Sequence, residues 1–443
     1  NVVSNIDGLP DATWCSSVEP SHHDRATAYA TFDGHQTGDM TPYVFMTTNL
    51  GRSWISVAND SLTGYCHVIR DDLVKPELLF LGSEFGLFVS IDRGQHWVHY
   101  KEDFPKVSVH DLVIQPDESD LVIATHGRGV YIIDNIAPLR QITDEVLAEE
   151  VHMFDSEPYE MKTFNSGQEF SGSAEFVGSN PSEVAKVTYY LKKRHVFGDM
   201  RIEIINSDGE VVKTLPGSKR KGINRVNWRM RLKPPKAPSS KSLAGFGISS
   251  GPLAEEGTYT VKLTKGKDTY ESSLNLVHDP DLPHSAEDRA LQQETVMRLY
   301  RLQERLAYIA DALKDINDMA KKQSDDLKEG DGLRKDLESY VDDVSGLRES
   351  ILITEDVQGI PGLADKLLDR VVFLYGFVSM YMGKPSDSQI KQVGVLEKEI
   401  DATASEFEKL TGDPLAKINS KLERKGLKTI QFMTRDEYEN KES

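Results

Sequence analysis

Cysteine is nearly missing: Cys15 and Cys66 are the only two in 443 residues, too few for a disulfide framework or a four-cysteine zinc site. Long apolar runs are missing too. The most apolar stretch, Val371 to Met382, falls well short of the roughly 18 to 20 residues that cross a bilayer, so no membrane span is expected. Positive charge is the minority sign, with 52 basic against 71 acidic residues. A net charge of −19 argues against a partner gripped by its phosphate backbone, and no nucleic acid is expected. Walker and Rossmann glycine patterns, a Gly-x-Ser-x-Gly elbow and a His-Glu-x-x-His helix are all absent. His22, His23 and Asp24 form a short cluster without an i, i+4 or cysteine partner, and Asp39 lacks EF-hand spacing around it. Neither a metal nor a cofactor is therefore expected.

What is present is an ordinary globular composition, 38% hydrophobic and 28% charged. The length allows two to four domains at about 150 residues each. The chain opens on Asn1-Val2-Val3 without an initiator methionine, which reads as a leader removed or a start lying upstream.

Internal repetition is the strongest signal. Thr47-Thr48-Asn49-Leu50-Gly51-Arg52-Ser53-Trp54 returns 43 residues later as Ser90-Ile91-Asp92-Arg93-Gly94-Gln95-His96-Trp97. Both fit Ser/Thr-x-Asp/Asn-x-Gly-x-x-Trp. A further period on, Tyr131, Ile133 and Asn135 fall in register with Phe88, Ser90 and Asp92. Four short strands per 43-residue unit is the size of a propeller blade. Strands are expected at Thr13–Glu19, Ala26–Phe32, Tyr43–Thr47 and Trp54–Val57, then at Tyr65–Arg70, Leu78–Gly82, Leu87–Ser90 and Trp97–Tyr100. A third unit has Val109–Gln115, Leu121–Thr125 and Gly129–Ile133 without a Trp-bearing turn. Aligning Val18, Ile69 and Ile114 places Cys15, Cys66 and Asp111 at one equivalent position. The cysteines are expected as free thiols, since a bond needs Cα atoms within about 7 Å.

In the repeated motif the hydroxyl and Asp or Asn satisfy amides of a tight turn, Gly supplies positive φ, and Trp plugs between sheets. A structural role is therefore expected for Thr47, Asn49, Gly51 and Trp54, and for Ser90, Asp92, Gly94 and Trp97. The motif resembles the Asp-box, or BNR repeat, of sialidases, xyloglucanases and sortilin-like propellers. Asp11 to Arg140 resembles the end of large secreted sortilin-like or BNR glycosyl hydrolases, through Glu19-Pro20-Ser21, Pro42-Tyr43-Val44, the two boxes, Val68-Ile69-Arg70-Asp71, Val109-His110-Asp111-Leu112 and Thr125-His126-Gly127-Arg128-Gly129. The resemblance implies an exported protein, periplasmic, on the cell surface or extracellular. It also implies that this chain is a C-terminal portion, with the N-terminal remainder of the propeller supplied by the same or a cleaved chain.

After the repeats the period is lost. Residues 150–278 alternate like a β-sandwich, with a hairpin turning at Asn206-Ser207-Asp208-Gly209, strands at Gly222–Trp228, Gly257–Leu263 and Asp268–Leu276, and a long loop from Pro234 to Pro252. Their order resembles immunoglobulin-like spacer modules of the flagellar hook-cap type. Ser285, Glu287 and Asp288 open a helix on which Leu299, Leu302, Leu306, Ile309, Leu313 and Ile316 form a seam. Further helices over 333–353, 362–382, 386–410 and 414–425 make residues 285–430 an antiparallel helical bundle. Leu337, Val344, Leu347 and Ile351 supply the opposing stripe, with Phe373, Leu374 and Phe377 expected at its centre. The fold expected is thus multidomain, mainly β then α: the last blades of a β-propeller over residues 1–145, an immunoglobulin-like sandwich, and the bundle.

The candidates for chemistry are few. A xyloglucanase-like site needs two carboxylates flanking the bond; Asp111 is one candidate, and its partner would lie upstream. No sialidase-like arginine triad is visible. His126 and Arg128, in a turn beside the channel, are candidates for holding an anion or a sugar. The favoured expectation is a binding or scaffold module, with another protein or a glycan as partner. The alternative is an extracellular glycoside hydrolase whose carboxylates lie mostly in missing blades.

Overall fold

In the computed structural model, residues 2–101, 104–161, 184–238, 250–354 and 366–440 are described. The β-branched runs of the first 133 residues pair only with their chain neighbours, because the turns between them are too short for crossovers. The result is three antiparallel meanders. The first holds β1 (Trp14–Pro20), β2 (Ala28–Asp33), β3 (Tyr43–Thr47) and β4 (Ile55–Ser56); the second holds β5 (Cys66–Asp71), β6 (Leu79–Ser83), β7 (Gly86–Ser90) and β8 (Val98–His99). The third has β9 (Val109–Gln115), β10 (Asp120–Thr125) and β11 (Val130–Ile133). They stack face to face in chain order, like consecutive propeller blades. Tyr29 of the first meets Ile69, Leu81 and Trp97 of the second, and Val68, Phe80 and Leu87 meet Val109, Leu112 and Ile123 of the third. Ile6 and Leu9 cover Ala30, Phe32 and Phe45 on the first sheet's other face.

The first strand of each meander carries a bulge, between Cys15 and Ser17, between Cys66 and Val68, and opposite the step from Ala124 to Thr125. Counting from it corrects the sequence alignment. Cys15, Cys66 and Val109 share one position, paired with Phe32, Ser83 and Thr125. Asp111 is offset, pairing with Ala124 where Val68 pairs with Gly82. Ile69 matches Leu112, 43 residues on, rather than Ile114, and a slip of two residues leaves the inward and outward faces unchanged.

The repeated turn is built twice alike. Thr47 Oγ1 accepts from the Gly51 amide at 3.0 Å and Ser90 Oγ from the Gly94 amide at 2.8 Å. The Asn49 and Asp92 side-chain oxygens accept from the amides of Ser53 and His96 at 3.0 and 2.9 Å. Leu50–Gly51 and Arg93–Gly94 take left-handed φ values of 61° and 77°, and of 58° and 85°, so glycine relieves the second half of a strained pair.

Both cysteines are free; Cys15 is exposed and Cys66 buried. Burial pushes the Cys66 thiol up, away from thiolate. A thiol reagent is expected to label one site per native chain and two after denaturation; two rapid labels on the native chain would contradict this burial.

Two five-residue helices, α1 (Ala137–Gln141) and α2 (Asp144–Ala148), lead out of the third meander. β12 (Val151–Met153), β14 (Ala185–Leu191) and β17 (Gly222–Trp228) form one sheet. It faces a five-stranded sheet of β13 (Tyr159–Met161), β19 (Asp268–His278), β18 (Gly257–Lys265), β15 (Met200–Ile205) and β16 (Val211–Pro216). One core with Trp228, Tyr189 and Leu263 lies between them. Arg225 ties this sandwich to the third meander through the Asp134 and Asn135 carbonyls at 2.7 and 2.5 Å. Most of the Pro234–Pro252 loop lies outside the described residues.

The bundle comprises α3 (Ala286–Asp325), α4 (Gly332–Ile351), α5 (Leu367–Ser379), α6 (Asp387–Thr411) and α7 (Asp413–Arg424), followed by the short α8 (Arg435–Asn440). Ser285 caps α3 by accepting the Asp288 amide at 3.1 Å. The whole seam from Leu299 to Ile316 is buried, as is the opposing stripe on α4. On α5 the inward face is Val371, Tyr375 and Val378, while Phe377 is 66% exposed. The expected centre was rotated off the buried face because an all-apolar helix gives no periodic cue. The bundle packs on the sandwich through Tyr375 to the Ser250 carbonyl at 3.1 Å and Arg289 to Glu256 at 2.9 Å. Among the described residues, no helix is long and apolar enough to cross a membrane.

Candidate functional site

Alternation along β5 turns Arg70 toward the third meander, beside Val68. Its guanidinium reaches the inner strands on both sides: Glu19 on β1 at 3.0 Å, and on β9 the Leu112 carbonyl at 2.8 Å and Asp111 at 3.1 Å. Glu19 is buried, and burial pushes its carboxyl up against the downward pull of Arg70, with Asp71 adding to the rise. Next to it Asp71, also buried, accepts from Ser21 Oγ at 2.7 Å, the His22 amide at 3.1 Å and His22 Nδ1 at 2.7 Å. Glu19, His22 and Asp71 hold ligand atoms within 4.8 Å of one another. His22 thus gains from tertiary structure the partners that its sequence neighbourhood lacks.

A cavity of about 260 Å³ opens here, lined by Glu19, His22, Arg70, Asp71, Leu73 and Val113 among others. One guanidinium, Arg70, against two carboxylates, Glu19 and Asp71, makes its wall net negative. Such a wall suits a cationic or hydroxyl-bearing group. As a cation site it would have to displace both the Arg70–Glu19 pair and the His22–Asp71 hydrogen bond.

At the opposite ends of the inner strands lies a row of rings. His35 stacks on Tyr65 at 4.6 Å, Tyr65 meets His67 edge-on at 5.0 Å, His67 stacks on His110 at 4.1 Å, and His126 follows at 5.4 Å. Asp33 holds His35 Nδ1 at 2.7 Å, and Ser108 Oγ lies 3.0 Å from His67 Nε2. Burial first, and His110 second, push the His67 imidazole down. His67 and His110 are the bulged residues of β5 and β9, 43 residues apart. Repetition of a histidine at the 43-residue period was a legible signal that sequence reading passed over.

The expected site residues are thereby split between two ends. Asp111 belongs to the Arg70 cluster. His126 joins the ring row, and its amide donates to the Ser108 carbonyl at 2.9 Å; Arg128 is exposed in the same turn. Thr125 takes the place of Ser83, so His126-Gly127-Arg128 is a three-residue turn where Glu84-Phe85 has two.

No family model and no curated protein matches the chain. Solved structures with partial likeness include an ancestral GH74 enzyme, at 14% identity over 59% of this chain and 35% of that one, with a TM-score of 0.24. The GH74 xyloglucanase from Xanthomonas campestris matches at 11% identity over 63% and 40%, with a TM-score of 0.23. YCF48 bound to D1 peptide matches at 16% identity over 27% and 36%, with a TM-score of 0.21. The chain spans 35 to 40% of the length of these three.

Proposed function

We propose that this chain is the C-terminal part of an exported Asp-box propeller protein of sortilin-like type, acting as a binding or scaffold module. Further sheets complete its ring, and an immunoglobulin-like spacer and the bundle follow. The observation that carries this reading is the outer face of the third meander. In the second meander Leu87 and Val89, together with Phe80, pack against the third. The equivalent Val130 and Ile132 are also apolar, yet 64% and 58% exposed, beside Val113 at 53%. The face repeats an interface pattern that another sheet satisfies one position earlier. Exposed edges and apolar faces of this kind are liabilities when left open.

The pairing of both Glu19 and Asp111 with Arg70 supports binding over hydrolysis, since neither carboxylate stands free as an acid or nucleophile. The net-negative cavity and the ring row with Arg128 are the two places where a glycan or a peptide is held.

Two measurements test the reading. Residues 1–443 are expected to turn over no xyloglucan, sialyl or aryl glycoside; turnover abolished by Asp111→Asn would establish the hydrolase instead. Amides of β11 are expected to exchange quickly in this chain and slowly in the protein isolated from its natural source. Equal exchange in both would show that nothing covers the third meander.

A further inference from the structure

Against a net charge of −19, one end of the sandwich is strongly basic. Three connections meet there. The β14–β15 loop reads Lys192-Lys193-Arg194-His195-Val196-Phe197-Gly198-Asp199, the β16–β17 connection Gly217-Ser218-Lys219-Arg220-Lys221, and the β18–β19 turn Lys265-Gly266-Lys267. Backbone bonds join them: the His195 amide donates to the Lys219 carbonyl at 3.0 Å, and the Gly266 amide to the Asp199 carbonyl at 3.2 Å. Lys219 Nζ reaches the Gly198 carbonyl at 2.8 Å and Lys192 Nζ the Ala148 carbonyl at 2.8 Å. Eight lysines and arginines thus crowd one end. Among the described residues, Asp199 and Asp268 adjoin these connections in the chain, the Glu150 carbonyl accepts from the Lys192 amide, and Glu149 is engaged by His152 at 3.1 Å.

At the apex of the longest loop the pattern changes. Val196 is 63% exposed and Phe197 87%, the highest value among the described large apolar side chains. The loop that carries this apolar pair among the cations is anchored by two paired strand ends, β14 on β17 and β15 on β18.

We propose that this end of the sandwich docks on an anionic lipid bilayer, with Val196 and Phe197 entering the boundary between headgroups and acyl chains and the surrounding lysines and arginines meeting lipid phosphates. Charge complementarity selects an anionic surface, and each basic residue near such a leaflet adds measurably to binding. The apolar apex selects lipid over a nucleic acid or another polyanion, which offers it no apolar phase. Neither part is sufficient alone, since stable peripheral attachment takes two signals. Attachment here is reversible and lies in the interface plane. It is independent of the proposed role of the meanders, because it uses none of their residues.

The test is co-sedimentation of the whole chain with phosphatidylcholine vesicles containing none or about one-third phosphatidylglycerol. Binding is expected only to the anionic vesicles and is expected to weaken as salt is raised. Phe197→Ser is expected to weaken it about tenfold, and Arg194→Glu with Lys221→Glu by at least about tenfold. These side chains are exposed, so unchanged far-ultraviolet circular dichroism and melting should accompany both variants. A Phe197→Trp chain should show blue-shifted emission on anionic vesicles. No binding to anionic vesicles overturns the proposal. So does binding that Phe197→Ser leaves intact while heparin or duplex DNA competes for it, an outcome that assigns the patch to a polyanion.

Discussion

Replacing Arg70 by methionine is expected to cost about 3–5 kcal/mol, the range for removing one partner of a buried ion pair. The loss is large because a single guanidinium serves Glu19, Asp111 and the Leu112 carbonyl at once. Its pH dependence has a definite sign. The folded Glu19 carboxyl sits above its ordinary value, so its contribution is fully present below the unfolded value and is lost as pH rises through the folded one. Without Arg70 the main downward pull is gone and the folded value climbs further. The deficit of Arg70→Met should therefore be greatest near neutrality and shrink as the medium is acidified through that value. Urea unfolding at about pH 7 and about pH 5 measures it. An equal deficit at both, or one below about 1 kcal/mol, would show that Arg70 is a surface ion-pair residue rather than the clasp of three strands.

The two tryptophans of the repeated turn should not be equivalent. Trp97 is 4% exposed, lies in the core between the first two meanders, and donates its indole N–H to the Val57 carbonyl at 2.9 Å. Trp97→Ala is expected to cost about 3–5 kcal/mol through the cavity it leaves. Trp54 is only partly buried, packs against the smaller cluster around Phe32 and Phe45, and leaves its indole nitrogen without a partner. Trp54→Ala should cost about 1–2 kcal/mol. Denaturant unfolding of both variants decides it; equal losses would mean that the turn, rather than the plug, sets the energy.

The 43-residue period was readable because Ser/Thr, Asp/Asn, Gly and Trp each perform a separate task at a fixed offset. The strands between the boxes followed from short β-branched and aromatic runs. Register was less legible. Leu112 and Ile114 are both inward apolar residues, so alternation allows Ile69 to be set against either, and the two-residue slip displaced Asp111. The helices α1 and α2 escaped because five residues hold too little periodicity to register. The Arg70 cluster escaped for a different reason. Glu19, Arg70 and Asp111 lie about 40 to 50 residues apart, and only the stacking of successive sheets brings them together. On the long helices, by contrast, the seam positions repeat often enough that all six residues from Leu299 to Ile316 were found.

The meander connectivity also bears on how the chain acquires its structure during synthesis. Each sheet closes on residues already made, over 14–56, 66–99 and 109–133 in turn. Contacts so local favour fast, stepwise folding from the N-terminal side. Arg70 is the exception. Its first acceptor, Glu19, is already in place when it emerges, whereas Asp111 follows 41 residues behind. Until then its guanidinium has one of its three partners on the flanking strands, and the second meander waits with an open flank. The third sheet acts as the late-arriving closure of that intermediate, and a pause in translation between residues 71 and 109 would prolong its exposure to chaperones and proteases.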